Sequence, residues 1–185
     1  MSEIHPTPNV AAEPERVNLF SAADVIAILR EKGWLSTEPT ESQGAWCARA
    51  AAFLGPQAAD RAALGELLGL IFHYDAQKIL TSTEAHVVMS RYAARDVLRR
   101  LALLLLDCGE LTPDRFRDLI TQLKEGLDIR GRELFHPLRL ALAGRSGEGE
   151  LDRVILLLDE AAAAGFTAPV KTARNRILDF CSSFE

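Results

Sequence analysis

The sequence lacks the features that mark membrane and secreted proteins. Its three cysteines are widely separated and form no C-x-x-C pair, a pattern typical of reduced, mostly buried thiols in a cytoplasmic protein. Its longest apolar run, residues 101–106, and shorter runs such as residues 154–158 fall far below the roughly 20 residues that cross a bilayer. Met1 is followed by polar residues and not by an apolar signal segment. We therefore expect a soluble, cytoplasmic protein without a membrane partner.

The chain also lacks a general excess of positive charge. Its formal net charge is −5, which is unlike a protein that coats DNA or RNA non-specifically. The charge is uneven, because residues 1–90 carry 6 basic and 11 acidic side chains, whereas residues 91–185 carry 15 of each. Any contact with nucleic acid is therefore expected to be local and to lie in the second half. DNA is not expected as a partner.

No residue set suits catalysis or metal binding. His73, Asp75 and His86 do not have the spacing of a known metal site, and no third group completes a Cys/His nucleophile pair. The glycine-rich stretch 144–149 lacks the Lys-Ser/Thr pair of a phosphate loop, and no strand precedes it. We interpret it as a turn and the start of a helix. The sequence thus predicts no catalytic residue, metal or cofactor.

Alanine and leucine are abundant, whereas β-branched and aromatic residues are sparse, and this composition favours helices. No strand pair or internal repeat is evident. The fold class is therefore predicted to be all-α, an irregular or orthogonal bundle of about seven to eight helices. From capping residues, prolines and glycines, the predicted helices cover about residues 21–33, 46–54, 58–71, 81–107, 112–127, 137–144, 150–164 and 169–180.

Three regions are expected along the chain. Residues 1–16 contain three prolines and no apolar periodicity, so they are predicted to form a disordered tail. An N-terminal helical subdomain is predicted over residues 17–108, and a C-terminal helical subdomain over residues 109–185. The long helix 81–107 is expected to start at a capping box that begins with Thr81. Its core face is expected to contain Val88, Tyr92, Leu98, Leu101 and Leu105.

Residues 130–145 carry four arginines and a single carboxylate. Pro137 has no amide hydrogen, so a short helix is expected to begin there, and Gly144 is expected to end it in a left-handed conformation. Arg139 on this helix and Arg145 just beyond it would then point outward from an apolar base. That base is expected to comprise Leu134, Phe135, Leu138 and Leu142.

The run over residues 131–151 resembles the C-terminal, anticodon-binding region of bacterial-type glutamyl-tRNA synthetases. That family's pattern is G-x-x-L-F-x-P-L-R-x-A-L-T-G-R, followed by Gly-Pro and Glu-Leu. Ala143 and Gly149 depart from it, since they stand where the family has threonine and proline. The resemblance extends more loosely from about Leu64 to about Phe180. The matching positions are Gly131, Leu134, Phe135, Pro137, Leu138, Arg139, Ala141, Leu142, Gly144, Arg145, Glu150 and Leu151.

The resemblance implies an all-α anticodon-binding domain of the class I synthetase type with tRNA as its partner, and it suggests a glutamate-specific tRNA. Arg91, Arg95 and Arg99 on the helix 81–107 would support the contact with RNA, because their i, i+4, i+8 spacing places them on one helical face. The alternative is that this face is an ordinary solvated surface. Lys171, Arg174 and Arg176 are expected on an exposed face of the last helix. The candidate RNA-binding residues are Arg132, Arg139, Arg145, Arg91, Arg95, Arg99, Lys171 and Arg174.

Synthetases of this family carry a Rossmann-type catalytic domain with His-Ile-Gly-His and Lys-Met-Ser-Lys-Ser type signatures, and neither signature occurs here. We therefore do not expect the chain to make aminoacyl-tRNA by itself, and a separate synthetase catalytic chain is a candidate partner. The alternative function is a helical protein-interaction or regulatory module that has kept the fold and lost RNA binding. Its docking surface would comprise the apolar faces of the helix near Trp46 and of the last helix.

Overall fold

The computed structural model describes residues 16–184, whose regular elements are all helical. This confirms the all-α prediction. The predicted disordered tail lies outside the described residues except for its last residue, Arg16. The helices are α1 (Ala22–Glu31), α2 (Glu41–Leu54), α3 (Arg61–Phe72), α4 (Ala76–Leu80), α5 (Thr83–Met89), α6 (Ala94–Asp107), α7 (Pro113–Leu127), α8 (Arg132–Ala143), α9 (Glu150–Ile155), α10 (Leu158–Ala164) and α11 (Ala173–Phe184), with a 3-10 turn at Gly55–Gln57.

Several helices begin at side-chain caps that can be read in the sequence. The Ser21 hydroxyl accepts from the amide of Asp24, and the Asp24 carboxylate accepts from the amide of Ser21 at 2.7 Å. The hydroxyl of Thr112 caps α7 by accepting from the Arg115 amide, with proline at the first helical position. These bonds satisfy amide groups that have no partner within the helix, and they set where α1 and α7 start.

The predicted helix 81–107 is two helices, α5 and α6, separated by a turn at residues 90–93. Ser82, and not Thr81, caps α5 by accepting from the Ala85 amide. The break lets α5 pack on α4 and α8 while α6 packs on α7, α8 and α11, so tertiary packing overrides the continuous helical pattern. One consequence is that Tyr92, expected in the core, is 99% exposed. The structure has more helices than predicted because α9 and α10 are split in the same way and α4 is helical.

The helix α8 lies at the centre of the bundle, where it packs against α5, α6, α9 and α11. It begins at Arg132, so the predicted start at Pro137 is wrong and His136 is helical. Pro137 is tolerated inside the helix because the carbonyl that it cannot pair with belongs to Glu133 in the exposed first turn. Gly144 ends the helix with φ +83°, as predicted.

Helices from both predicted subdomains contribute to one apolar core. Its aromatic part joins α2, α3 and the segment after α10: Trp46 lies 5.0 Å from Phe166 and 5.9 Å from Phe72, measured between ring centres. The Trp46 indole nitrogen donates to the Leu157 carbonyl at 3.0 Å. The division into residues 17–108 and 109–185 stays a prediction. None of the helices within residues 16–184 combines the length and apolar character needed to cross a bilayer.

Candidate nucleic-acid interface

Arg139 was expected to point outward from α8, and that expectation is wrong. Its side chain is only 10% exposed, and its Nε and Nη2 atoms donate to the two carboxylate oxygens of Asp152 at 2.7 and 2.8 Å. Its Nη1 atom donates to the Gly147 carbonyl at 2.9 Å, and its guanidinium carbon lies 4.7 Å from the centre of the Phe135 ring. Because α8 is surrounded by other helices, Arg139 faces a neighbour and not solvent. Its guanidinium therefore joins α8 to α9 and to the loop between them.

The loop between α8 and α9 uses its polar groups within the protein. The backbone amide of Ser146 donates to the Glu84 carboxylate at 2.7 Å, and the Ser146 hydroxyl donates to the same oxygen. Together with the bond from Arg139 to Gly147, this contact fixes the loop against α5 and α8. The loop is thus a structural turn, in agreement with the sequence interpretation.

A cationic cluster lies at the beginning of α8, and we call Arg91, Arg132 and His136 the Arg91 cluster. The Nη1 atom of Arg91 lies 3.0 Å from Nδ1 of His136 and donates at 3.5 Å to the Arg132 carbonyl. These contacts connect Arg91, which lies in the turn between α5 and α6, to the first turns of α8. They bring two arginines that are 41 residues apart in the sequence to one place on the surface.

The environment of His136 favours its neutral form. Burial lowers its pKa, and the nearby charges of Arg91, Arg132 and Arg139 lower the pKa further, against an opposing effect of Glu148. A neutral imidazole has one acceptor nitrogen, and a guanidinium can only donate. His136 therefore accepts from Arg91 at Nδ1 and carries its proton on Nε2. In this state it holds Arg91 in position without adding a positive charge.

Carboxylate partners divide the eight predicted RNA-binding residues into two groups. Three pairs join a predicted residue to an acid: Arg139 with Asp152, Lys171 with Asp179 at 2.6 Å, and Arg145 with Glu66 at 4.0 Å. Five predicted residues form no ion pair within residues 16–184, namely Arg91, Arg95, Arg99, Arg132 and Arg174. A guanidinium without an acid partner is free to bind phosphate in a two-point contact.

The eight residues do not form one surface. Arg145 follows the far end of α8, whose 12 residues separate it from Arg132 by about 18 Å. Arg174 lies in the first turn of α11, whereas Arg95 lies 5.7 Å from the ring of Phe184 at the other end of that helix. Arg91 lies in the turn before α6, whereas Arg95 and Arg99 lie on that helix. The prediction that the three arginines share one helical face is therefore wrong. Within this candidate set the Arg91 cluster is the part whose members are joined by direct contacts, whereas Arg95 and Arg99 are exposed on the helix α6 that follows the Arg91 turn.

Arg176 was expected on an exposed face, but it is completely buried. Its Nη1 atom donates to the carbonyls of Leu70 and Leu142 at 2.9 Å each, and Nη2 donates to the Ile71 carbonyl. These carbonyls belong to the last turns of α3 and α8, where helices leave acceptors unpaired. Burial lowers the Arg176 pKa to about 10. The sequence held a signal for this burial, because Arg176 lies at helical spacing with Ala173, Ile177 and Phe180.

Two other exposed side chains, which the sequence analysis did not assign to the site, lie within two residues of Arg91 or Arg132 in the chain. Tyr92 is almost completely exposed in the turn that carries Arg91. Arg130 is exposed just before α8. No group of three or more His, Cys, Asp or Glu side chains within residues 16–184 is arranged to hold a metal ion.

Comparison with known proteins identifies a family for most of the chain. The family model described as "Anticodon binding domain" matches residues 22–162. The chain is 27% identical over 133 residues to a glutamate–tRNA ligase of Exiguobacterium sibiricum, which covers 72% of this chain and 27% of the relative. It is likewise 27% identical over 135 residues to that of Bacillus subtilis, covering 73% of this chain and 27% of the relative. The chain thus spans about a quarter of these relatives. No solved structure matches it.

Proposed function

Because the chain belongs to the anticodon-binding domain family, we propose that it binds tRNA and that the arginines at the beginning of α8, the half-buried Arg91 and the exposed Arg132, make the contact. The observation that supports this proposal is the Arg91 cluster. The Arg91 guanidinium is held against the beginning of α8 by His136 and by the Arg132 carbonyl, and the Arg132 side chain is exposed there. Neither forms an ion pair with a carboxylate in the described part of the chain.

The charge around the cluster suits a phosphate backbone. Arg95 and Arg99 are exposed on α6 and, within residues 16–184, likewise have no acid partner. The N-terminal end of α8 adds the positive end of a helix dipole, and no side chain caps it at Gly131. In a chain of net charge −5, this local group of cations is expected to bind RNA in a salt-sensitive manner. Four phosphate contacts to a single-stranded loop give a slope of log K against log salt of about −3.

The anticodon loop of a glutamate-specific tRNA is the RNA that we propose. The relatives described above are named glutamate–tRNA ligases, and the chain corresponds to about a quarter of their length. The family matched over residues 22–162 is an anticodon-binding domain and not a catalytic one. We propose that the chain contributes RNA recognition, while amino-acid activation takes place on a separate synthetase catalytic domain or chain.

The proposal is tested by titrating the protein with a glutamate-specific tRNA transcript and with an unrelated tRNA, between about 50 and 200 mM salt. We expect tighter binding of the first RNA. The double variant Arg91→Ala/Arg132→Ala should weaken binding about tenfold or more and reduce the salt slope to about −1.5, because two phosphate contacts are lost. Arg117→Ala on α7 removes the same kind of exposed charge and serves as the control. Equal weak binding of both tRNAs, with a silent double variant, would refute the proposal.

A protein-interaction module without RNA binding is the second candidate function. The ion pair of Arg139 with Asp152 favours this second function, because Arg139, an arginine within the run over residues 131–151 that resembles the family, binds a carboxylate of the protein itself. However, the docking surface predicted near Trp46 is wrong, since Trp46, Ala50 and Leu54 on α2 are buried. Pull-down from native extract separates the two functions. Recovered tRNA supports the first, and one stoichiometric protein without RNA supports the second.

A further inference from the structure

Tyr92 is the one aromatic side chain within residues 16–184 that is not packed against the protein. It is 99% exposed, whereas every other Phe, Tyr and Trp in those residues is buried or half-buried. The ring also has no cation against it. The rings within cation–ring contact distance in the described chain are those of Phe53, Phe135, Phe184 and Tyr74. Both faces of the Tyr92 ring are therefore open to a ligand.

The turn that carries Tyr92 is held on both sides. The Arg91 amide donates to the Val88 carbonyl at 3.2 Å, and the Ala94 amide donates to the Arg91 carbonyl at 3.2 Å. The Arg91 side chain is bonded across to α8, and Ala94 is fully buried. Tyr92 thus projects from an ordered turn, and a tyrosine has only two side-chain torsions to fix on binding. Such a side chain provides a large contact area at a small entropic cost.

The sequence on either side of Tyr92 is cationic. Between the acids Glu84 and Asp107, residues 85–106 contain four arginines and one acid, Asp96. Arg91 precedes the ring in the chain, and Arg95 lies in the first turn of the following helix. An exposed aromatic ring among arginines matches single-stranded nucleic acid, which offers a base for stacking and phosphates on both sides of it. A paired duplex does not offer a free base face, so the arrangement favours an unpaired loop.

We propose that Tyr92 stacks on an unpaired base of the bound RNA while Arg91 and Arg95 contact the phosphates beside that base. This inference rests on the proposed function, since it assigns a base contact to the RNA surface at the beginning of α8. It also gives the exposed ring a role that cations alone cannot perform. Cations bind phosphates of any RNA, whereas stacking requires that the base is free.

The first experiment measures binding of an RNA hairpin that has the anticodon stem and loop of a glutamate-specific tRNA. Tyr92→Ala should weaken binding about tenfold or more, Tyr92→Phe should retain it, and Tyr92→Leu should behave as Tyr92→Ala because it has no aromatic face. Leu19→Ala, at a side chain that is 72% exposed before α1, is the control and should have no effect. A fully paired RNA duplex of equal length should bind wild type and Tyr92→Ala equally.

The second experiment uses fluorescence. Trp34 and Trp46 are 4% and 0% exposed, so RNA has little access to them. The Tyr92→Trp variant adds an exposed indole, and the hairpin should quench its emission while the emission of wild type changes little. If wild type binds the hairpin and loses affinity in Arg91→Ala/Arg132→Ala, but Tyr92→Ala is silent and the added emission is not quenched, the stacking inference alone fails. If wild type binds no RNA, the proposed function fails as well.

Discussion

Arg139 of α8 and Asp152 of α9 form a two-point ion pair, with nitrogen–oxygen distances of 2.7 and 2.8 Å. The same guanidinium holds the Gly147 carbonyl and lies over the Phe135 ring. All the contacts of this arginine are therefore internal. Arg139, which the sequence of residues 130–145 made a candidate RNA ligand, therefore serves as a structural link between α8 and α9.

We expect Arg139→Ala and Asp152→Ala each to lower the free energy of unfolding by about 3 kcal/mol, because each leaves a largely buried charge without its partner. Urea denaturation measures this. The exposed pair of Arg117 and Asp114 is the control, and its single alanine variants should change stability by about 0.5 kcal/mol or less. RNA affinity of folded Arg139→Ala should stay within about twofold of wild type. A tenfold loss of affinity with unchanged stability would return Arg139 to the RNA site.

Arg176→Met should lower the free energy of unfolding by about 2–3 kcal/mol. The carbonyls of Leu70, Ile71 and Leu142 would be left buried without a donor, and about 1 kcal/mol or more for each outweighs the relief of burying a charge. Arg176→Lys should not restore stability, since one ammonium cannot span these acceptors. Arg174→Met, on the exposed side of the same helix, is the matched control. Equal stability of the two methionine variants would contradict this role.

His136 should make the protein less stable in mild acid. Its pKa in the folded state is below the ordinary value of 6.5, so between these two values the unfolded chain binds more protons than the folded one. The contribution of His136 is complete above about pH 6.5 and is lost as the pH falls toward the folded-state pKa. Urea denaturation from pH 8 to pH 5 should show a steeper loss for wild type than for His136→Gln. Parallel curves would rule out this linkage.

Gly144→Ala should lower the free energy of unfolding by about 1–2 kcal/mol. Gly144 has φ +83°, and an added Cβ would lie 3.3 Å from Cδ1 of Ile79. Gly126→Ala is the matched comparison, and it should raise the free energy of unfolding. Gly126 lies within α7, and no atom lies within 4 Å of an added Cβ. That variant should gain about 0.5–1 kcal/mol from helix propensity. Thermal unfolding of the two variants checks both directions.

The amino-acid sequence by itself determined the fold class and several helix ends. The caps at Ser21 and Thr112 and the stop at Gly144 involve atoms only a few residues apart, so their geometry is written into the local sequence. The family resemblance could be read in the same way, because it is carried by a continuous run of residues. The matched family model over residues 22–162 agrees with it.

Only the tertiary structure decided which basic and aromatic side chains face solvent. Arg139 is bonded to a carboxylate 13 residues away, and Arg176 to a carbonyl 106 residues away. Tyr92 is exposed and not in the core, because it lies in the turn between α5 and α6, and these two helices pack on different neighbours. Local periodicity in the sequence does not encode this packing. Exposure of a side chain depends on what packs against it, and those partners come from distant parts of the chain. For that reason the sequence could point to the arginine-rich residues 130–145 but could not tell the arginines that face solvent from those that hold the fold together.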